Sequence, residues 1–328
     1  MSILVSINCV TYNQENYIAD AIESFLAQKT NFEFEILIGE DCSTDNTREI
    51  VEKYVRDYPD KVKLITSDHN VGFKKNTERI FNHSEGKYIA LCDGDDYWID
   101  PFKLQKQVDY LEQHADCTMC FHAAKIINSE KVPLGTFVRP SKNNTKFTAG
   151  DIALGGGGFF PTASVVYPKA IMENPPDCYR QASVDDFPLG LILAGHGYAY
   201  YIDEVMSVYR TGVQGSWTSQ LLNGKDVNAK KIANNKDDIK TLDAYNHYSN
   251  GEYHQDVDKG IRFREFYIAI CERNLREIKK SKYKDIIREL GFKGKVKYYL
   301  LFCMPSLSSR LSRLYGHFVK VKYNLLKQ

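Results

Sequence analysis

With 328 residues, 43% of them hydrophobic and 26% charged, the chain is too long for one small domain and has ample apolar material for a core, which excludes the disordered and low-complexity classes. Its net charge of +1 hides an uneven distribution: residues 291–328 hold eight Lys and Arg and no acidic side chain, leaving 35 basic against 42 acidic in the first 290, so an anionic partner is expected at the tail. No basic stretch with an apolar leader precedes the first strand pattern at Ile3, and the eight cysteines are scattered, which together point to the reducing cytoplasm.

Leu4 to Val10 predicts a strand that opens into Thr11-Tyr12-Asn13-Gln14-Glu15-Asn16, after which Ile18, Ile22, Phe25 and Leu26 share one helical face. A second strand, Phe34 to Ile38, ends in Glu40-Asp41-Cys42-Ser43-Thr44-Asp45, with Ser43 and Thr44 as N-cap candidates for a helix through Ile50, Val51, Tyr54 and Val55. Val62 to Thr66 is a third strand, and the loop from His69 to Phe73 leads to a helix carrying Ile80 and Phe81. Tyr88 to Cys92 is apolar on both faces, the pattern of a buried parallel strand, and ends abruptly in Asp93-Gly94-Asp95-Asp96. Three like charges there raise one another's pKa unless a cation neutralises them, and oxygen ligands of this kind suit Mg²⁺ or Mn²⁺ with further ligands from a substrate phosphate. An isolated acidic triplet is more often a plain cap for the next helix. Four strands alternating with helices favour the α/β class with a mostly parallel sheet, whose ligands sit outside the carboxyl ends of the strands, where these polar loops lie.

Further on, a helix is expected from Phe102 to Gln113 and an irregular stretch from Arg139 to Thr148. Cys117 and Cys120 form a C-x-x-C without a second pair, which argues against zinc. Gly155 to Gly158 lets backbone approach a ligand, or serves as a plain connector. Asp185-Asp186 opens an apolar helix over Leu189 to Leu193; Tyr198–Ile202 and Val205–Tyr209 read as two strands, followed by Arg210, Ser216 and Trp217. From Asp226 to about Lys280 the pattern is helical, so a boundary is placed near residue 220, giving a domain over 1–220 and a helical C-terminal extension over 221–328 that ends in a basic aromatic tail, 291–328.

Four of these loops, in order, resemble the family 2 glycosyltransferases, inverting sugar-nucleotide-dependent enzymes of the GT-A fold, over residues 3 to 220. Val5 to Asn13 is similar to the family's first strand and Thr-Tyr-Asn turn. Glu40 to Asp45 is similar to its Asp-Asp-Gly-Ser-x-Asp, with Glu40 and Cys42 as departures. Asp93-Gly94-Asp95-Asp96 matches its D-x-D motif, Asp185-Asp186 its Glu-Asp or Asp-Asp pair, and Val208-Tyr209-Arg210 its final strand. The resemblance implies nucleotide binding by Thr11, Tyr12, Asn13, Glu15, Asp41, Asn70, Asp93 and Gly94, Mn²⁺ or Mg²⁺ on Asp95 and Asp96, contacts to diphosphate and acceptor by Asp185 and Arg210, and Asp186 as the catalytic base. It also implies a nucleotide-sugar donor, UDP-linked, and a saccharide or lipid-linked acceptor in cell-surface polysaccharide synthesis.

Rival chemistries are separable. A dinucleotide-dependent oxidoreductase needs a glycine-rich turn after the first strand, and the loop from Thr11 to Asn16 has no glycine. A nucleotidyltransferase would release pyrophosphate, whereas an inactive sugar-nucleotide-binding protein would release nothing. In the tail, basic residues interleave with Tyr298, Tyr299, Phe302, Tyr315 and Phe318, and its apolar runs fall far short of the roughly 20 residues needed to span a bilayer. The pattern suits a segment lying peripherally on the cytoplasmic face of the membrane, where each Lys or Arg near an anionic surface contributes about 1 kcal/mol. A helical pair packed on the domain is the alternative, and nucleic acid is not an expected partner because no recognisable nucleic-acid module accompanies the charge. Removing residues 291–328 is expected to abolish low-salt sedimentation with anionic liposomes while UDP binding persists; a full-length protein that ignores such liposomes refutes the membrane role.

Overall fold

The computed structural model describes residues 2–222 and 226–290, so the tail lies outside the described residues. In its first part, strands β1 (Ile3–Thr11), β2 (Glu33–Glu40), β3 (Val62–Ile65) and β4 (Tyr88–Leu91) alternate with helices α1 (Ile18–Leu26), α2 (Thr47–Asp57) and α3 (Phe73–His83). These strands pair in parallel in the order β3-β2-β1-β4, with Ile7 opposite Ile36 and Ala90. Crossover helices cover such strands on both faces, which explains why β1 and β2 read as continuous apolar runs. Helix α1 shows how the sequence sets the packing: Ile18, Ala21, Ile22 and Phe25 recur at three- and four-residue spacing and all are buried.

Beyond β4 the chain adds β5 (Tyr97–Trp98), α4 (Lys103–Gln113), β6 (Cys117–Asn128), β7 (Pro133–Val138), β8 (Thr145–Phe147), α5 (Ala149–Gly155) and β9 (Val166–Pro168). There follow α6 (Asp177–Arg180), α7 (Asp186–Gly195), β10 (Tyr198–Thr211) and α8 (Trp217–Leu222). Strand β9 runs antiparallel between β4 and β6, and β10 lies parallel to β6. The α/β sheet is thus parallel in its first half and mixed in its second. It separates two cores, one holding Phe25, Val51 and Leu104, the other Phe121, Ile152, Phe187 and Leu191; Tyr88 and Ala90 face the first and Ile89 the second, as strand alternation requires.

The structure corrects several local expectations. Tyr198–Ile202 and Val205–Tyr209 are one strand: register irregularities between Ile202 and Ser207 absorb Asp203 and Glu204, whose charges are met by Arg139 and Lys106. Part of the stretch from Arg139 to Thr148 is ordered as β8, because Phe147 pairs with Ala199 of β10. Cys117 and Cys120 sit in β6, a 12-residue buried strand that the sequence reading passed over. Ser43 and Thr44 do not cap α2, which starts at Thr47 with Asn46 before it; Asp45 Oδ1 accepts from the Thr47 N–H at 3.0 Å instead.

The C-terminal helices α9 (Val227–Tyr248) and α10 (His254–Cys271) are joined by a short turn and contribute Leu242, Tyr245 and Val257 to the second core, alongside Phe187. Helices α11 (Leu275–Ile278) and α12 (Lys284–Glu289) build a smaller cluster on α10 with Phe266, Ile278 and Tyr283.

One buried cation stands out in this frame. Lys103, at the start of α4, is fully buried with its amine 3.8 Å from the centre of the Trp98 ring and no hydrogen-bond partner among the described residues. Burial pushes its pKa down to about 7. The unfolded chain, with an ordinary lysine near 10.4, therefore binds one more proton than the folded chain between about pH 7 and 10, and stability rises with pH across that window. Lys103→Met is expected to raise the melting temperature at pH 7 and to remove this slope; an unchanged slope in thermal melts from pH 7 to 10 contradicts the buried-amine reading.

Candidate active site

The carboxyl ends of β1, β2 and β4 finish level with one another, Thr11 standing opposite Glu40, and the Gly94 N–H donates to the Val10 carbonyl at 2.9 Å. Gly94 is tightly enclosed: a Cβ there would lie 2.6 Å from Gln14 Oε1 and 2.9 Å from the Thr11 side chain. Thr11 Oγ1 in turn donates to Gln14 Oε1 at 2.8 Å, so the turn of β4 is seated on the β1 loop.

The β1 loop is braced from the other side. Asn13 adopts φ +52°, donates its N–H to Ser43 Oγ at 3.0 Å and accepts from the Thr44 N–H at 2.8 Å, while Glu15 Oε2 accepts from the Asn46 backbone and side chain at 3.0 and 2.7 Å. Tyr12 stays exposed. Asp41 is buried and accepts from the Val71 and Gly72 N–H groups at 2.8 and 2.9 Å, and Asn70 Oδ1 accepts from Gly72 as well, so the third loop is held against the second. The two departures from the family pattern have physical explanations. Glu40 is buried and accepts from Ser43 N–H and Thr66 Oγ1, which makes it a brace for the loop, and Cys42 has φ +58°, the left-handed conformation that glycine adopts most easily.

Two carboxylate groups face one another across this edge. At the end of β4, burial first and then Asp95, Asp186 and Asp185 push Asp93 up to about 8. Burial likewise pushes Asp95 up to about 6, and burial with the neighbouring Asp95 holds Asp96 well above the usual carboxylate range. At the start of α7, Asp185 is buried, is pushed up to about 6 by burial against the opposing charge of Lys74 3.9 Å away, and keeps Oδ2 without a hydrogen-bond partner among the described residues. Lys74 also donates to the Tyr179 and Ala182 carbonyls, tying α3 to the segment that leads into α7. Asp186 Oδ1 accepts from the Phe187 N–H at 2.7 Å, and Gly157 passes so close that a Cβ on it would lie 3.3 Å from the same oxygen.

Arg210, near the end of β10, joins the parts. Its N–H donates to Asp96 Oδ1 and its Nε to the Asp95 carbonyl, both at 2.7 Å; Nη2 reaches Asp20 Oδ2 at 3.0 Å, and Tyr17 and Tyr97 flank the guanidinium. It is 2% exposed, and Nη1 has no hydrogen-bond partner among the described residues. Arg210 is therefore a buried clamp on the β4 turn. Gln14, Tyr17 and Asp20 were missed as site residues in the sequence; only the position of Gln14 within the β1 loop signalled it, since Tyr17 and Asp20 look like ordinary residues of a helix start, whereas Gly157 belongs to the glycine run already expected to approach a ligand.

Among the described residues no group of three or more His, Cys, Asp or Glu side chains is placed to hold a metal ion. The donor set nevertheless fits a divalent cation: the β4 carboxylates are all hard oxygen ligands, and their mutual repulsion is what a divalent charge relieves. An open site of this kind takes its remaining ligands from a phosphate and water.

Residues 6–170 match the family model of glycosyl transferase family 2. An uncharacterized protein of Mycobacterium tuberculosis is 36% identical over 224 residues, which cover 66% of this chain and 61% of that protein, so the chain spans about 61% of the length of this relative. The UDP-Glc:alpha-D-GlcNAc-diphosphoundecaprenol beta-1,3-glucosyltransferase WfgD of Escherichia coli is 32% identical over 42% of this chain and 52% of its own. Among solved structures, Staphylococcus aureus TarS in complex with UDP-GlcNAc superposes with a TM-score of 0.56 at 18% identity, covering 84% of this chain and 77% of that one, a likeness of fold.

The two metal-site candidates differ in what else they hold. Asp96→Ala strands the buried Arg210 N–H and is expected to cost about 1–3 kcal/mol in urea unfolding. Asp95→Ala, which loses a repelled carboxylate, is expected to unfold at or above the wild-type urea concentration while losing Mn²⁺-dependent UDP binding. Equal unfolding midpoints for the two variants contradict the clamp.

Proposed function

Because the chain belongs to glycosyl transferase family 2, with a sheet of the GT-A type, we propose that it transfers a sugar, with inversion, from a UDP-sugar to a hydroxyl of a saccharide or lipid-linked acceptor in cell-surface polysaccharide synthesis. The observation that supports this reading is the meeting of Asp93, at the end of β4, with Asp185 and Asp186 at the start of α7, whose charges act on Asp93 although about ninety residues separate them. A diphosphate leaving group needs positive charge on one side of the sugar, and an acceptor hydroxyl needs a base on the other.

Asp95 and Asp96 would hold Mn²⁺ or Mg²⁺, which when bound supplies Lewis-acid stabilisation of the charge that develops on the diphosphate. The chain's own residues do the rest. Thr11, Tyr12, Asn13, Glu15, Asp41, Asn70, Asp93 and Gly94 line the nucleotide end; there Asp41, Asn13 and Glu15 act by bracing the three loops against one another. Arg210 keeps the β4 turn in place and brings a fixed positive charge to its base. Asp186 takes the proton of the acceptor hydroxyl, held beside Asp185 at the start of α7. Attack opposite the leaving group inverts the anomeric carbon without a covalent sugar intermediate. The name of WfgD, with its diphosphoundecaprenol-linked sugar, supports a lipid-linked acceptor.

Asp186→Asn keeps the shape and loses the base. With UDP-sugars and lipid-linked saccharides as substrates, it is expected to bind UDP with Mn²⁺ as the wild type does and to release UDP roughly 10² to 10⁴ times more slowly. Full transfer by this variant removes Asp186 from the role, and pyrophosphate in place of UDP among the wild-type products identifies a nucleotidyltransferase.

A further inference from the structure

The stretch matched by the family model ends at residue 170, yet a side chain from α10 reaches the enclosure of Asp186. Arg264 is buried; its Nη1 donates to the Ala153 carbonyl at 2.9 Å and to Gly260 at 3.0 Å, and its Nε reaches Asp238 Oδ2 of α9 at 3.1 Å. Ala153 lies in the last turn of α5, where carbonyls lack partners within the helix, so Arg264 caps that helix from outside. The chain leaves α5 through Gly156, at φ +71°, where a Cβ would come within 2.9 Å of Arg264 Nη2. Gly157 follows and passes over Asp186. On the other side the guanidinium stands 5.0 Å from the centre of the Phe187 ring, and the Phe187 N–H is the one that Asp186 accepts. Close approach of the two helices is built in: a Cβ on Gly260 would meet the Ala153 carbonyl at 2.8 Å, and one on Gly150 the Asp256 carboxylate at 2.3 Å.

We propose that Arg264 is a positioning residue for transfer, pinning the Gly156–Gly157 turn and Phe187 on two sides of Asp186 and so making the C-terminal helices part of the catalytic apparatus. It acts through these neighbours. Simple packing would be met as well by an apolar side chain of similar volume, since a buried ion pair gains little over one. What an apolar residue cannot do is hold a helix-end carbonyl, a carboxylate on α9 and the ring beside Asp186 with one planar fork. The inference rests on Asp186 being the base.

Arg264→Met keeps the volume and loses the fork. Hydrogen exchange in peptides spanning 152–160 is expected to quicken, UDP affinity with Mn²⁺ and the donor KM to stay at wild-type values, and kcat for UDP release to fall about 10- to 100-fold, the scale of a misplaced catalytic group. Gly157→Ala is expected to give the same split between kcat and KM, and the double variant to lose no more than the weaker of the two singles, because both act on one turn. Arg264→Lys, which keeps the charge and stem, is the fallback should the methionine variant not fold, with the same split at smaller amplitude. Wild-type kcat in either Arg264 variant, or losses in Arg264→Met and Gly157→Ala that multiply, overturns the proposal. Full transfer by Asp186→Asn would instead remove the base reading beneath it, and the hydrogen-exchange result tells the two failures apart.

Discussion

Five carboxylates, Asp93, Asp95, Asp96, Asp185 and Asp186, are brought to one end of a buried sheet, and the surrounding structure is arranged to keep them there. Desolvation raises the cost of charge at Asp93, Asp95, Asp96 and Asp185, and repulsion from neighbouring carboxylates adds to it at Asp93 and Asp96. The fold opposes this with covalent and packing constraints. Gly94 locks the β4 turn under Thr11 and Gln14, Arg210 clamps it from β10, and Lys74 holds the approach to α7. One buried guanidinium does not neutralise five carboxylates. The remaining imbalance is the reason a divalent cation is proposed there.

The parallel half of the sheet was legible because its signals are local. Apolar runs over β1, β2 and β4, helical spacing in α1, and turn glycines each report on a few consecutive residues. The Asp93–Asp96 and Asp185–Asp186 groups were legible for the same reason, as acidic clusters at the ends of apolar runs. What stayed hidden depends on partners distant in sequence. β8 exists because Phe147 finds Ala199, and β10 stays continuous through Asp203 because Arg139 meets that charge from more than sixty residues away. Asp20 looks like an ordinary helix residue until Arg210 arrives from a strand 190 positions later.

Several residues marked as ligands in the sequence also prove to be braces. Asp41, Asn13 and Glu15 spend hydrogen bonds on backbone N–H groups of neighbouring loops, so the three loops are tied to one another before any ligand arrives. Preorganisation of this kind lowers the ordering cost of binding. The same logic extends through Arg264, where helices beyond the family-matched stretch stiffen the surroundings of Asp186.

The crowded carboxylates are proposed to form an open cation site completed by a nucleoside diphosphate. Thermal unfolding of the wild type with Mn²⁺ alone, UDP alone and both together tests it most directly, because a ligand that binds only the folded state raises the melting temperature by mass action. Mn²⁺ and UDP together are expected to raise it well beyond the sum of the separate shifts. Separate shifts that simply add, or no shift with both present, would contradict the claim.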